Sequence, residues 1–90
     1  MDGQLQVRNL ARTATEDDLW ALFLQVGDVL GVRIPRDRLS RESRGYAFVT
    51  MSALSEADKA VSRLNEHPFH GLKLKVSLAQ ARTVRGGSMG

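Results

Sequence analysis

The sequence contains no cysteine, which excludes disulfide bonds, thiolate metal sites and cysteine nucleophiles within its 90 residues. No apolar run approaches the ~20 residues that a membrane-spanning helix needs, so we expect no membrane association. The start of the chain also lacks the basic and apolar stretches of a secretory signal. These absences predict an intracellular protein of the nucleus or the cytoplasm, with an organelle as an open alternative.

Residues that carry out catalysis are equally scarce. His67 and His70 bracket a predicted turn, but two histidines without cysteines or a nearby pair of carboxylates make a poor metal site. We find no Ser-His-Asp arrangement and no glycine-rich phosphate loop. The sequence therefore predicts a protein that is not an enzyme and that holds neither a metal nor a cofactor.

What is present describes a small folded domain. Apolar residues make up 42% of the chain and charged residues 26%, as in ordinary globular proteins. The length allows one domain, which we assign to residues 1–82, followed by a flexible tail at 83–90 that contains arginine and glycine. The net charge is +3, and ten of the thirteen basic residues are arginine, a side chain suited to phosphate and to stacking on bases.

Hydrophobic periodicity predicts six elements in the order βαββαβ. They are a strand at 5–10, a helix at 15–26, strands at 29–34 and 46–51, a helix from Ser52 or Ser55 to about Leu64, and a strand at 72–78. Thr15 and Asp18 form a predicted capping box, and Gly27 is expected to end the first helix. Right-handed crossovers place both helices on one face, giving an α+β, ferredoxin-like sandwich with a four-stranded antiparallel sheet.

The other face of this sheet has no predicted cover, and its residues follow from the alternation of the strands. The outward positions carry five positive charges, two aromatic rings and no acid: Gln4, Gln6, Arg8, Arg33, Arg44, Tyr46, Phe48, Thr50, Lys73, Lys75 and Ser77. The helical stretches carry six acids against two bases: Glu16, Asp17, Asp18, Glu56, Asp58 and Glu66, with Lys59 and Arg63. We therefore expect a positive sheet face and a negative helical face.

Aromatic rings beside basic side chains are typical of a platform for single-stranded nucleic acid. Bases stack on the rings, each stack contributing ~1–3 kcal/mol, while arginine and lysine hold the phosphates. The alternative is structural: Tyr and Phe are also good strand formers, and a terminal extension or a partner protein would then cover them.

Two segments also resemble the signatures of a known family. Arg44–Met51 resembles the eight-residue RNP1 signature of RNA-recognition motifs, and Leu5–Leu10 resembles the six-residue RNP2. The resemblance extends over about residues 4–80. It implies that Tyr46 and Phe48 stack bases or sugars and that Arg44 contacts a phosphate.

The resemblance further implies that Ala47 and Val49 lie in the core and that Gly45 permits a tight entry into the strand. It implies a function in RNA processing, translation or RNA stability. Because bases of both nucleic acids stack on aromatic rings, single-stranded DNA is an alternative ligand.

Two positions depart from the family pattern. Gln6 stands where the first strand usually has an aromatic residue, so it offers a hydrogen bond to a base edge instead of a stack. Met51 replaces a buried aromatic residue, where we expect a change of packing only. Losing one stack weakens binding roughly tenfold or more, so we predict modest affinity, on the order of micromolar for a few nucleotides.

Three further arginines are candidates for RNA contacts outside the sheet. Arg38 and Arg41 lie in the loop at 36–44, which either closes over the RNA or is a solvated loop of self-paired charges. Arg82, close to the tail, would extend the positive charge available to RNA phosphates. Residues 79–82 would add contacts to the edges of bases.

Trp20 and Leu24 do not fit the buried face of the first helix. At about 100° per residue they lie on its flank, one turn apart. A docking patch for a protein partner is one interpretation. Docking in a ribonucleoprotein assembly, through this patch or through the sheet face, is the alternative function of the whole domain. The other interpretation is a minor core cluster in which Trp20 packs on the adjacent strand edge. We expect the chain itself to be a monomer.

Overall fold

The computed structural model describes residues 2–79, and these form two helices and six strands. The elements are β1 (Gly3–Arg8), α1 (Glu16–Leu24), β2 (Val29–Arg33), β3 (Tyr46–Met51), α2 (Leu54–Leu64), β4 (Pro68–Phe69), β5 (Leu72–Lys73) and β6 (Lys75–Leu78). The antiparallel main sheet has the strand order β2-β3-β1-β6. The predicted βαββαβ sandwich is confirmed, with a small additional hairpin.

That hairpin changes the predicted last strand. β4 and β5 pair with each other, and only β6 joins the main sheet. The break has a local cause: His70 and Gly71 both have positive φ and form a tight turn, and the Leu74 N–H donates to the His67 carbonyl. Leu72, which simple alternation would turn inward, is consequently exposed on the hairpin.

The start of α1 confirms the predicted capping box. The Thr15 hydroxyl accepts from the Asp18 N–H at 3.1 Å, and the Asp18 carboxylate accepts from the Thr15 N–H at 3.0 Å. The predicted end is wrong in detail, because the helix stops at Leu24 and Gly27 does not adopt a positive φ. A glycine suits position 27 for a different reason, because a Cβ atom there would lie 2.7 Å from the Glu56 side chain.

The start of α2 differs from the prediction. Its N-cap is Ala53, which has no side chain to cap the helix, so neither Ser52 nor Ser55 is the cap. The Ser52 hydroxyl donates instead to the Glu56 carboxylate at 2.6 Å. The same carboxylate accepts from the Asp28 N–H, so it joins the helix to the loop before β2.

The core lies between one face of the main sheet and the two helices. The strands contribute alternating residues, such as Leu5, Val7, Ala47, Val49 and Met51, all fully buried. The helices contribute Leu19, Leu22, Phe23, Ala57, Ala60 and Leu64. Since the two helices occupy this face, the opposite face remains open within residues 2–79.

One irregularity lies in the edge strand β2. Its pairing with β3 steps from Val29–Met51 to Gly31–Thr50, so Leu30 is an extra residue that forms a bulge. Simple alternation back from Val32 would bury Leu30. The bulge instead buries Val29 and leaves Leu30 55% exposed.

Candidate nucleic-acid interface

The pairing register arranges the open face in rows of directly opposed side chains. In the central row Phe48 lies between Arg33 on β2 and Gln6 on β1, and Ser77 on β6 follows Gln6. Gln6 and Ser77 are partly exposed, whereas Arg33 is exposed. This row runs across all four strands of the main sheet.

A second row lies nearer to the loop between β2 and β3. Tyr46 is opposed by Arg8 on β1, which is in turn opposed by Lys75 on β6. The Tyr46 and Phe48 rings touch edge to face, with centroids 5.8 Å apart and planes at 87°. Both rings are only half-buried, so they form one aromatic surface with accessible faces.

Arg33 already interacts with this surface. Its guanidinium lies 5.4 Å from the centre of the Phe48 ring, within the range of a cation–π contact. The guanidinium therefore shields part of Phe48 in the unbound protein. A ligand that stacks on this ring has either to displace Arg33 or to stack together with it.

Lys75 is placed on the open face but is not free of partners. Its ammonium donates to the carboxylate of Glu66, whose pKa is held below its ordinary value by that hydrogen bond. Glu66 was predicted to belong to the negative helical face. That prediction is wrong because Glu66 follows the end of α2 with a positive φ and reaches the sheet edge instead.

Lys73 does not lie on the main sheet, contrary to the alternation of the predicted last strand. It belongs to β5 and pairs with Pro68 in the separate hairpin. Its carbonyl accepts a hydrogen bond from the Asn9 side chain at 2.8 Å, which ties the hairpin to the end of β1. The lysine is exposed beside the open face, at its margin.

Arg44 precedes β3 and lies exposed in the loop, two residues from Tyr46. The turn into the strand depends on Gly45, which has φ of +84°, a conformation that side chains with a Cβ disfavour. The Gly45 carbonyl accepts from the Leu10 N–H, which fixes the entry of β3 against the end of β1. Gly45 therefore has the role expected from its position before the strand.

The loop between β2 and β3 is an ordered turn. The Asp37 carboxylate accepts from the N–H groups of Ser40 and Leu39, and these bonds hold the pKa of Asp37 below its usual value. Arg38 and Arg41 are exposed and form no ion pair within residues 2–79.

Two other charges of this loop, Arg36 and Glu42, form ion pairs, and both of their partners lie outside the loop. Arg36 forms a two-pronged ion pair with Glu16 on α1 and lowers the pKa of that carboxyl, while Glu42 binds Arg12. The interpretation as a self-paired loop is therefore wrong. Arg36 and Glu42 connect the loop to other parts of the chain, and Arg38 and Arg41 remain available to contact a ligand.

Trp20 and Leu24 lie on the outer side of α1. Trp20 is 38% exposed and Leu24 is 52% exposed. Neither belongs to the hydrophobic core or to the residues packed against it. Both side chains therefore remain partly accessible outside the main core.

The two histidines take no part in a metal site within residues 2–79, which contain no suitable group of ligands. His70 instead joins the hairpin to the start of α1: its Nε2 lies 3.2 Å from Asp18 and its Nδ1 3.1 Å from the Thr13 hydroxyl. Sequence reasoning missed this role because the contacts join segments more than fifty residues apart. Within the same residues, no helix is long and apolar enough to cross a membrane.

Several predictions concern segments beyond residue 79. The contacts proposed for Arg82, the edge contacts of residues 80–82, the domain end at residue 82 and the tail at 83–90 all lie outside the described residues.

Comparisons with known proteins agree on one family. Residues 5–75 match the family model described as RNA recognition motif. The chain is 43% identical over 76 residues to the serine/arginine-rich splicing factor SC35 of Arabidopsis thaliana, covering 84% of this chain but 25% of that protein. It is 38% identical to the putative RNA-binding protein RbpB of Nostoc sp., covering 96% of this chain and 84% of that protein.

A solved structure adds a comparison of the fold. The Sxl-lethal protein/RNA complex contains a chain that superposes with a TM-score of 0.80 at 40% identity, covering 84% of this chain and 47% of that one.

Proposed function

Because this chain belongs to the RNA recognition motif family, we propose that it binds single-stranded RNA on the open face of its main sheet. Tyr46 and Phe48 stack bases, and Arg8, Arg33 and Arg44 hold phosphates. The observation that carries the proposal is the continuous aromatic surface of the two half-buried rings at the centre of an open, basic face. Stacking tolerates any base, so specificity from these two rings alone is low.

The remaining cations act from the margins of the face. Lys75 exchanges Glu66 for a phosphate, a step that costs little because exposed ion pairs are weak. Lys73, Arg38 and Arg41 surround the same face from the hairpin and the loop between β2 and β3. Gln6, between Phe48 and Ser77, provides a hydrogen bond to a base edge instead of a third stack.

The proposed affinity is modest, on the order of micromolar for a few nucleotides, because one stacking position of the family is occupied by Gln6. The biological setting proposed is RNA processing, translation or RNA stability. One relative is a splicing factor, and this chain spans only a quarter of its length. A role in splicing is therefore only proposed for this chain.

The test is an NMR titration of the ¹⁵N-labelled chain with short single-stranded RNAs at two salt concentrations. We expect the amides of Gln6, Arg8, Tyr46, Phe48 and Lys75 to shift together, and binding to weaken as salt rises. Trp20→Ala is a matched control, because it removes an aromatic ring from the helical side and leaves the affinity unchanged. An open face that does not respond at millimolar RNA contradicts the proposal.

A second candidate function rests on the exposed residues of α1. Trp20, Ala21 and Leu24 form an exposed apolar stripe at helical spacing. Asp17 before the stripe and Asp28 after it form no ion pair within residues 2–79. Charge complementarity favours a protein partner that presents an apolar ridge flanked by lysine or arginine.

A synthetic helical peptide with leucines at helical spacing and lysines elsewhere tests this surface. We expect the Trp20 indole N–H signal to shift, and Trp20→Ala with Leu24→Ala to weaken binding at least tenfold. The matched control peptide, with glutamates in place of the lysines, leaves the spectrum unchanged. Equal shifts with both peptides, or none with either at millimolar concentration, contradict this function.

A further inference from the structure

A recess lies beside Phe48 on the open face, on the side away from Tyr46. It has a volume of about 270 Å³ and is lined by Gln4, Gly31, Val32, Arg33, Phe48 and Thr50. This is slightly smaller than the pockets that hold drug-sized ligands, and it suits a single small planar group. The recess adjoins the aromatic surface, so a strand of nucleic acid stacked on Phe48 passes over it.

The recess exists because Gly31 has no side chain. Gly31 is opposed by Thr50 on β3, and Thr50 is opposed by Gln4 on β1, so these three residues form a further row of the open face. A Cβ added at Gly31 would meet no atom within 4 Å. A Cβ atom at this position would therefore lie in open space beside the recess.

No structural requirement of the fold accounts for glycine at this position. Among the glycines of residues 2–79, Gly3 and Gly27 are closely approached by neighbouring side chains, and Gly45 and Gly71 have positive φ. Gly31 has neither property. Even the adjacent bulge does not need it, since its φ is not positive. A glycine inside a strand weakens that strand, and it commonly marks a site where a ligand approaches the backbone closely.

The walls of the recess have the chemistry of a nucleobase site. Phe48 provides an aromatic ring, and the Arg33 guanidinium lies over that ring. The Gln4 carboxamide and the Thr50 hydroxyl make no hydrogen bond within residues 2–79 and contribute donors and acceptors to the lining. A glutamine side chain can form paired hydrogen bonds with the edge of a base.

We propose that this recess binds the nucleobase next to the one stacked on Phe48, and that Gln4 and Thr50 read its edge. Gly31 keeps the site open. The inference rests on the proposed RNA-binding function and deepens it, because it places base selection outside the two rings. Gln4 and Thr50 are thus specificity-determining residues, and the preferred base is the one whose edge pairs with the carboxamide.

The test compares the RNA affinities of the wild-type chain and Gly31→Val. The ligands are the single-stranded tetranucleotide that the wild-type chain binds most tightly and four versions of it, each lacking one base. A valine occupies the part of the recess next to the backbone and also suits a strand, so we expect the variant to keep or raise the wild-type melting temperature. We expect it to bind the intact tetranucleotide about tenfold more weakly. We expect Gly31→Val and the wild-type chain to bind with equal affinity the tetranucleotide that lacks the base proposed to enter the recess.

Two further variants complete the design. Gln4→Ala is expected to reduce the discrimination among four bases at the recess position, and at no other position. Ser62→Val, the control, places the same side chain on the exposed surface of α2 and is expected to leave every RNA affinity unchanged.

The outcomes separate the two proposals. A wild-type chain that binds no tetranucleotide overturns the proposed function and the recess with it. A wild-type chain that binds, while Gly31→Val weakens the intact and all abasic oligonucleotides equally or not at all, overturns the recess alone.

Discussion

The two faces of β3 show how one strand serves two different purposes. Ala47, Val49 and Met51 are fully buried against the helices, whereas Tyr46, Phe48 and Thr50 alternate with them on the open face and remain accessible. The buried set stabilises the fold through the removal of apolar surface from water. The open set holds aromatic rings that the fold itself does not need to bury. If the open face binds RNA as proposed, we expect stability and binding to respond separately to changes at neighbouring residues of β3.

The largest expected effect tests that independence directly. Met51→Ala leaves a cavity in the core and is expected to lower the free energy of unfolding by about 2–5 kcal/mol. The matched change Thr50→Ala, one residue away on the open face, is expected to stay within about 0.5 kcal/mol of wild type. Urea denaturation measures both, and equal losses would contradict the division between the faces.

A gain of binding is expected from Gln6→Phe. The new ring lies directly opposite Phe48 and restores a third stacking position on the open face. An additional stack of ~1–3 kcal/mol raises the affinity for a short single-stranded RNA roughly tenfold. Calorimetric titration measures the change, and Gln25→Phe, on the exposed end of the helical side, is the control. An unchanged affinity for Gln6→Phe would show that RNA does not cross this part of β1.

A smaller effect separates the charges of the two faces. Arg8→Ala removes one proposed phosphate contact, so the slope of log K against log salt is expected to become shallower by about 0.7. Arg63→Ala, on the exposed surface of α2, removes the same charge from the helical face and leaves the slope unchanged. Affinities at four salt concentrations measure the slopes. If both variants change the slope by the same amount, the salt dependence reflects the net charge of the chain and not a phosphate contact of Arg8.

The smallest expected effect is on the pH dependence of stability. The pKa values of Glu16 and Glu66 are lowered from 4.5 by hydrogen bonds from Arg36 and Lys75 respectively. A carboxyl with a lowered pKa binds fewer protons when folded. Its contribution is complete above pH 4.5 and is lost as the pH falls through the lowered value.

Melting temperatures between pH 7 and pH 3 check this expectation. Glu16→Gln and Glu66→Gln should each reduce the loss of stability on acidification. Asp17→Asn, whose carboxylate forms no ion pair within residues 2–79, provides the comparison. An acid-induced loss that is the same in wild type and in both glutamine variants would contradict the assignment.

Much of the fold could be predicted because its signals are local. The alternation in 46–51 reproduces β3 residue for residue, and Thr15 with Asp18 forms the expected capping box. The pattern also predicted that Tyr46 and Phe48 share one face, because the period of a strand is two. These features depend on neighbouring residues, so the sequence alone contains them.

The errors arose where the backbone leaves the regular geometry of a strand or a helix. Alternation continued from Val76 back to Leu72, but a turn with positive φ at His70 and Gly71 separates Lys73 from the main sheet. Glu66 was assigned to the helical face, but its backbone conformation directs it to Lys75.

By itself, the sequence determined the βαββαβ order, the buried sets of β1 and β3 and the aromatic pair of the open face, since all three follow from periodicity. Only the tertiary structure decided how these residues are combined. The bulge at Leu30 sets Gly31 opposite Thr50, and the recess beside Phe48 results from that register. The physical reason is that pairing between strands depends on contacts across the sheet, which no local pattern specifies.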